Sequence, residues 1–302
     1  MNGILLVDKP AGLSSHAVVA RVRHSLNRKR VGHAGTLDPM ATGLLVVGVD
    51  AGTRLLTFLV GADKSYAATI RLGIGTDTDD ATGTILATPG YEQVDLIEAA
   101  LAPFRGAIRQ RPSAVSAIKV AGRRSYQRVR AGEAVELAER PVTVHSLDLI
   151  EARRTTDPDT GLPVVDVDLV MAVSSGTYVR AIARDLGAGL DSAGHLTALR
   201  RMAVGPFDVR DAVALADVAA DTPLHPLGDI ARRILPALSV SPDHVDAVSH
   251  GVRLPCDTAA AGPVALLSPT GELLAVSLCG DDARWRHQFV VPQLPSDTLR
   301  TP

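Results

Sequence analysis

Apolar and polar positions along the chain alternate on two different periods. Residues 3–7 are an unbroken apolar run closed by Asp8-Lys9-Pro10-Ala11-Gly12, which predicts a strand. Ser14 or Ser15 can cap the helix that follows. Its apolar side carries Ala17, Val18, Ala20, Val22 and Leu26, and Arg28-Lys29-Arg30 stands near its carbonyl end. A second apolar run, 44–49, predicts another strand, and Thr53 can cap a short helix through Val60. Alternation from Tyr66 to Leu72 predicts a half-buried strand. Residues 73–83 are turn-rich and acidic, without the spacing or terminal Glu of a calcium loop. Asp95 can cap a helix over 96–101.

Residues 104–140 break both periods. They are basic, with serines and few large apolar groups, and predict an insertion or RNA-facing arm. Strand-like alternation returns at 142–152 and 164–173, around a polar hairpin tip at 155–161. Residues 174–177 lead into a helix over 178–187, with Ser or Thr as its cap and Gly187 as its stop. A strand over 202–207 and a helix around 211–219 follow. Beyond Pro236, short apolar runs at 252–254, 263–268, 272–278 and 285–291 predict a small β-rich, barrel-like domain. Strands and helices mix without regular βαβ repetition, which is an α+β pattern.

Composition changes this picture in three places. Only 3% of the 302 residues are aromatic, so Leu, Val and Ala must supply the core and each tyrosine matters singly. Cys256 and Cys279 lack CxxC spacing, so neither a metal site nor a disulfide framework is expected. No secretory h-region or membrane-length apolar stretch is present, and the expectation is a soluble, cytoplasmic protein. Net charge is −2, but residues 1–35 hold six basic groups and one acid, and 104–140 hold nine and three. Such patches on an acidic bulk favour a polyanionic partner. Dinucleotide, P-loop, HExxH and GxSxG motifs are absent.

The densest candidate chemistry is the run 32–45, GHAGTLDPMATGLL. Pro39 restricts Asp38 to extended or turn geometry, and three glycines permit turns or close ligand approach. The carboxylate reads either as a site or as the cap of a helix starting at Pro39.

This run resembles the catalytic motif of the bacterial tRNA pseudouridine-55 synthase (TruB) family. Residues 4–15 resemble the family's opening segment, Lys64-Ser65-Tyr66 its K-x-Y element, and residues 73–79 the stretch after it. Residues 174–180 resemble its SxGTYIR motif, and Leu199-Arg200-Arg201 its late LRR element. These matches fall in family order across most of 3–207. Two departures are Arg111, where the family has the first proline of PPxxSAxK, and residues 122–130, which meet GxxAYxxAR only loosely.

The resemblance implies an α+β pseudouridine synthase fold with a mixed, mainly antiparallel central sheet, plus a small β-barrel-like PUA-type C-terminal domain. It assigns 1–235 to the catalytic domain, about 104–140 to a basic RNA-binding insertion, 236–292 to the PUA-like domain and 293–302 to a tail. The implied reaction isomerises uridine 55 in the tRNA T-arm loop to pseudouridine, by base flipping, glycosidic cleavage and rejoining through C5. It implies no cofactor and no metal, the tRNA T-arm stem-loop as partner, no membrane, and a monomer.

Asp38 matches the essential aspartate, which acts either by addition to the sugar or along a glycal route. Tyr66 matches the tyrosine that stacks on the flipped base, and its bland alternative is packing. Arg180 matches the arginine that orients the acid, and its alternative is an ordinary surface group. His33 matches a histidine that contacts the everted strand. Tyr178 and Leu199 are expected at the pocket wall, and Lys9 and Lys64 at phosphate or loop. Arg123, Arg124 and Arg128 are expected to dock RNA. Two other readings are a non-catalytic RNA-binding protein using the same cleft and a β-rich adaptor for protein contacts.

Overall fold

The unbroken apolar runs near the N-terminus become neighbouring strands covered on both faces. The computed structural model describes residues 2–113, 137–256 and 262–292, and the backbone alone at 119–120 and 123–124. In its first part, β1 (Gly3–Lys9), β2 (Val31–Ala34) and β3 (Thr42–Val49) pair antiparallel, with α1 (Ser15–Ser25) between β1 and β2. Leu5, Val7, Leu45 and Val47 face Val18 and Val22 of α1. Ile4, Leu6, Leu44 and Val46 face the other way, onto α2 (Gly52–Leu55) and α3 (Thr57–Val60). Burial on both faces is why these strands read as continuous apolar runs rather than alternating ones.

β4 (Lys64–Leu72) does alternate, buried at every second residue. Short strands β5 (Gly75–Thr76) and β6 (Ile85–Ala87), α4 (Ile97–Leu101) and β7 (Gly106–Gln110) follow. The two-residue strands β8 (Lys119–Val120) and β9 (Arg123–Arg124) pair within the basic insertion. Then come β10 (Arg140–Thr156), β11 (Pro163–Val173), α5 (Val179–Gly189), β12 (Gly194–Val204), β13 (Phe207–Asp208) and β14 (Val213–Ala214). The main sheet runs β14-β1-β3-β12-β4-β11-β10-β7, with β2 beside β3 and β13 beside β12. The β1–β14 and β3–β12 pairs are parallel and the others antiparallel. Ile182 and Leu186 of α5 pack on Ile70, Leu72, Leu169 and Leu196, which fixes the helix across β4, β11 and β12. The mixed, mostly antiparallel α+β sheet agrees with the sequence reading.

The helix expected around 211–219 does not form. Val213 and Ala214 pair instead with Val7 and Asp8 at the sheet edge, and 3₁₀ turns flank them. Sheet pairing outweighs a weak helical propensity there.

The expected PUA-type barrel is also corrected. After α6 (Leu227–Ile234) come β15 (Ala237–Ser239), α7 (Val245–Ser249), β16 (Val264–Leu267), β17 (Leu273–Cys279) and β18 (Trp285–Val290). The last four strands form an open sheet, β15-β16-β17-β18, whose ends do not pair. Closure is not needed to bury it. Val264, Leu266 and Leu274 pack with Val248 of α7, while Ala265, Leu267, Leu273 and Val276 join Leu227 and Ile230 and the face of β1 and β3.

Cys256 and Cys279 are joined in a disulfide, contrary to the expectation from their spacing. The β17–β18 turn folds back on residues 254–256, through hydrogen bonds from Trp285 N to Leu254 O (2.9 Å) and Cys256 N to Ala283 O (2.9 Å). That brings Cα atoms 23 residues apart to 5.9 Å, an ordinary disulfide separation.

The single tryptophan, Trp285, is buried and directly opposite Cys279, so its fluorescence reports on this bridge. Reduction, or the Cys256→Ser, Cys279→Ser double variant, should lower the stability read by Trp285 in denaturant unfolding by about 2–4 kcal/mol. An unchanged midpoint would show that the bridge adds no stability.

Candidate active site

The loop 35–41 is tied down at the carbonyls of residues 35 to 39 and at Leu37 N and Ala41 N, which holds the acid in place. Ser14 caps α1 by accepting from Ala17 N, which leaves Ser15 for another task. The buried Ser15 hydroxyl accepts from Leu37 N (2.8 Å) and donates to Leu37 O (3.0 Å). Pro39 O accepts from Gly12 N (2.8 Å) and from Lys9 Nζ (3.2 Å). Arg201 donates to Gly35 O (3.0 Å), Thr36 O (3.4 Å) and Leu44 O (2.8 Å). Gly43, at φ +98°, lets β3 pass against the Arg201 backbone, where any Cβ would collide. No helix begins at Pro39, so Asp38 is not a helix cap.

Asp38 meets Arg180 across the site. Arg180 lies in the first turn of α5 and is buried, with Nε 3.0 Å from Asp38 Oδ2. The charges meet without the N–H being aimed at that oxygen. The guanidinium is not a bidentate clamp on Asp38, because Nη1 turns to Thr78 O (3.0 Å) and to Asp80 Oδ2 (3.4 Å). Asp80 in turn accepts at Oδ1 from Thr78 Oγ1, Thr82 N and Thr82 Oγ1. One arginine thus serves two acids. The Asp38 side chain is 36% exposed and that of Asp80 only 5%, so Asp38 is the acid a substrate can reach.

A cavity of about 340 Å³ opens beside this pair, within the size range of ligand pockets. Asp38, Lys64, Tyr66, Tyr178, Arg180 and Leu199 all line it, as does Arg201. Tyr66 on β4 is the direct cross-strand partner of Arg201 on β12, and Leu199 that of Ala68. Tyr178 precedes α5, and the Gln110 side chain fixes its backbone, donating to Tyr178 O (2.9 Å) and accepting from Tyr178 N (2.7 Å). That amide pair stands where a Ser or Thr cap was expected. Arg184 of α5 donates to Arg111 O (2.9 Å), so the root of the basic insertion is fastened to the same helix.

Lys9 and His33 do not line the cavity. Lys9 is wholly buried and donates to Pro10 O, Leu13 O and Pro39 O, holding the loop from below. Burial pushes its ammonium down to about 8, against the pull of Asp38 and with the push of Arg201. Burial, with Arg201 again, pushes Lys64 to about 8 as well; it donates to Val60 O, Ala62 O and Ser175 Oγ. His33 on β2 stands edge-on to His16 at 5.5 Å, its protonation disfavoured by burial, His16 and Arg201. Only the backbone of Arg123 and Arg124 is described, and Arg128 lies outside the described residues. Sequence reasoning missed Asp80 and Gln110 and gave Arg201 no role. Asp80 sat in a stretch read as a plain loop, and Arg201 just before the expected strand over 202–207, where its only signal was the Leu199-Arg200-Arg201 element.

Among the described residues, no group of three or more His, Cys, Asp or Glu could hold a metal. No helix among them is long and apolar enough to cross a membrane.

Comparison with known proteins matches residues 23–179 to the TruB family pseudouridylate synthase N-terminal domain, and 180–237 to the tRNA pseudouridylate synthase B C-terminal domain. The chain is 48% identical to tRNA pseudouridine synthase B of Thermobifida fusca over 278 residues, 91% of this chain and 94% of that protein. It is 49% identical to tRNA pseudouridine synthase B of Cutibacterium acnes over 280 residues, 91% and 92% of the two chains. Among solved structures, a chain of an H/ACA RNP bound to a substrate RNA containing 2′-deoxyuridine shares the fold. Its TM-score is 0.71 at 23% identity, covering 95% of this chain and 84% of that one.

The lowered Lys9 ammonium has a measurable consequence. Below about pH 8 it is charged in both folded and unfolded chains, and the burial cost is fully present. Between about 8 and the ordinary 10.5 the unfolded chain holds the extra proton, so stability rises with pH. Lys9→Met should lose about 1–3 kcal/mol at neutral pH through unpaired carbonyls. It should also lack this rise, at most about 1.4 kcal/mol per pH unit. Denaturant unfolding of both proteins from pH 7.5 to 10 checks it; parallel curves would show that Lys9 is not titrating there.

Proposed function

The chain belongs to the TruB family of tRNA pseudouridine synthases, and from that premise we propose that it isomerises uridine 55 in the T-arm loop. The observation that carries this reading is Asp38, among the described residues the one acid at the wall of the cavity, paired with buried Arg180 and facing the same space as Tyr66. The T-arm uridine is flipped into this cavity, since a stacked base offers its N1 and C5 to no side chain. Tyr66 and Leu199 bound the base, and Asp38 serves the ribose.

The N1–C1′ bond breaks and a C5–C1′ bond forms. The proton leaves C5 and N1 gains one, so the reaction is balanced without an oxidant, reductant or second substrate. Addition of the carboxylate to C1′, or loss of the C2′ proton to give a glycal, both call for an ionised acid beside the sugar. Arg180 sets a guanidinium 3.0 Å from the carboxylate that would carry this charge. Asp80 shares the guanidinium and so sets its angle, while Lys9, Ser15 and Arg201 keep the loop from yielding.

Purified protein incubated with unmodified tRNA should place pseudouridine at position 55, mapped by base-specific chemistry. Asp38→Asn should cut single-turnover formation by about 10³-fold or more while tRNA affinity stays within a few-fold. Substantial turnover by the verified variant would remove Asp38 from the chemistry. Retained binding by an unaltered chain that forms no pseudouridine would favour the non-catalytic RNA-binding reading.

We place the T-arm phosphates on the basic insertion, because nine of the chain's basic residues fall in 104–140 against three acids. Neutralising Arg123, Arg124 and Arg128 together should flatten the slope of log affinity against log salt by up to about one unit per lost contact. An unchanged slope in the folded triple variant would move docking elsewhere, first to the basic stretch at 21–30.

A further inference from the structure

Lys64 lines the cavity, yet its ammonium is fully engaged by the protein. The side chain is buried. It donates to Val60 O at 3.0 Å, to Ala62 O at 2.5 Å and to Ser175 Oγ at 3.3 Å. An ammonium has three donors and no acceptor, so none remains to meet a phosphate. Ser175 closes the set. While its oxygen accepts from Lys64, its own proton goes to Val60 O at 2.8 Å. The end of α3, the start of β4 and the loop between β11 and α5 are thereby joined at one carbonyl, Val60 O. The Asp38 loop crosses the same lysine, since a Cβ at Gly35 would stand 3.7 Å from Lys64 Cε.

The loop 174–177 is what this junction holds, and its two serines are fastened to opposite sides. Ser174 is bound to β10: Thr143 N donates to Ser174 Oγ (2.8 Å), and Ser174 N donates to Thr143 O (2.8 Å). Ser175 is bound to α3 and Lys64. Gly176, at φ +89°, then turns the chain, and Tyr178 and Arg180 follow directly. Ser175 falls at the open position of SxGTYIR, so the motif itself gives it no task. Taking an ammonium out of water is costly, and burial brings Lys64 down to about 8. Acceptors from two separate stretches of chain offset that cost.

We infer that Lys64 and Ser175 are positioning residues for the uridine reaction. Acting as a unit, they set the spacing across the cavity between the end of α3 and the loop that delivers Tyr178 and Arg180, and Lys64 is not a phosphate ligand. Misplacing a group by about 1 Å can cost about 10²-fold in rate. Their loss is therefore felt in the chemistry and not in RNA binding. This inference rests on the cavity being the uridine site, as proposed above.

Single-turnover pseudouridine formation at saturating tRNA tests it, beside tRNA affinity measured across several salt concentrations. Each variant is first checked for folding by thermal unfolding. Ser175→Ala should lower the rate by about tenfold with affinity within about twofold, and Ser175→Thr, which keeps the hydroxyl, should restore most of the loss. Lys64→Met should lower the rate by about 10²-fold, with affinity within a few-fold and the salt slope unchanged. In that background Ser175→Ala should cost less than about threefold more, because both act through one junction.

A Ser175→Ala rate within about twofold of the unaltered chain, or a Ser175→Thr rate no better than that of Ala, overturns the inference. A Lys64→Met chain that keeps its rate at saturation overturns it too; a salt slope flatter by about one unit in that chain would assign Lys64 to a phosphate. Where Lys64→Met does not fold, the Ser175→Ala and Ser175→Thr pair decides alone. Absence of pseudouridine from the unaltered chain on any tRNA would instead overturn the reading of the cavity, which separates the two failures.

Discussion

A buried guanidinium held between two carboxylates organises this molecule around one point. The dipole at the start of α5 mildly disfavours a cation, and two acids receive Arg180 there. Asp38 arrives from the loop between β2 and β3, and Asp80 from the turn after β5. The ion-pair cluster is complete only when three distant stretches of chain are in place. The packing of α5 on β4, β11 and β12 supplies the rigid frame, and the turn carrying Asp80 is fastened to β12 through Leu196. Because Asp80 is sealed and Asp38 is not, the ion pair has a fixed side and a working side.

Two arginines divide the tasks of the site. Arg180 stands between two carboxylates. Arg201 donates to three backbone carbonyls, which are weaker partners than carboxylates. Lys9 and Lys64 are both brought to about 8, chiefly by burial and to a lesser degree by Arg201, and each is bonded to backbone carbonyls. Of the two, only Lys64 lines the cavity, while Lys9 holds the Asp38 loop from beneath.

Much of this arrangement was legible in the sequence where a local rule and the tertiary structure agree. The runs at 3–7 and 44–49, the alternation at 66–72 and the helix from 179 became elements close to those bounds. Asp38, flanked by Pro39 and the glycines, stood out because loop chemistry is written in short-range residues. What failed was set by distant partners. Val213 and Ala214 were taken from a helix by the edge of β1. The C-terminal strands stayed open because α7 and the β1–β3 face cover them, which no local pattern encodes. Cys256 and Cys279 met because a turn folds back, not because of their spacing. Asp80, Gln110 and Arg201 were hidden for a common reason: a buried polar side chain is recognisable only once its partner is known.

The apolar face formed by Ile4, Leu6, Leu44 and Val46 is completed by Leu227 and Ile230, and by Ala265 and Val276. The first strands of the protein therefore leave the ribosome some two hundred residues ahead of the groups that cover them. During synthesis α2 and α3 cover part of that face early, as α1 covers the opposite one, and the remainder stays open. The order of emergence makes the last strands the step that removes a sticky surface. A chain cut short before residue 264 would keep that surface open, a state quality-control proteases and chaperones are suited to detect.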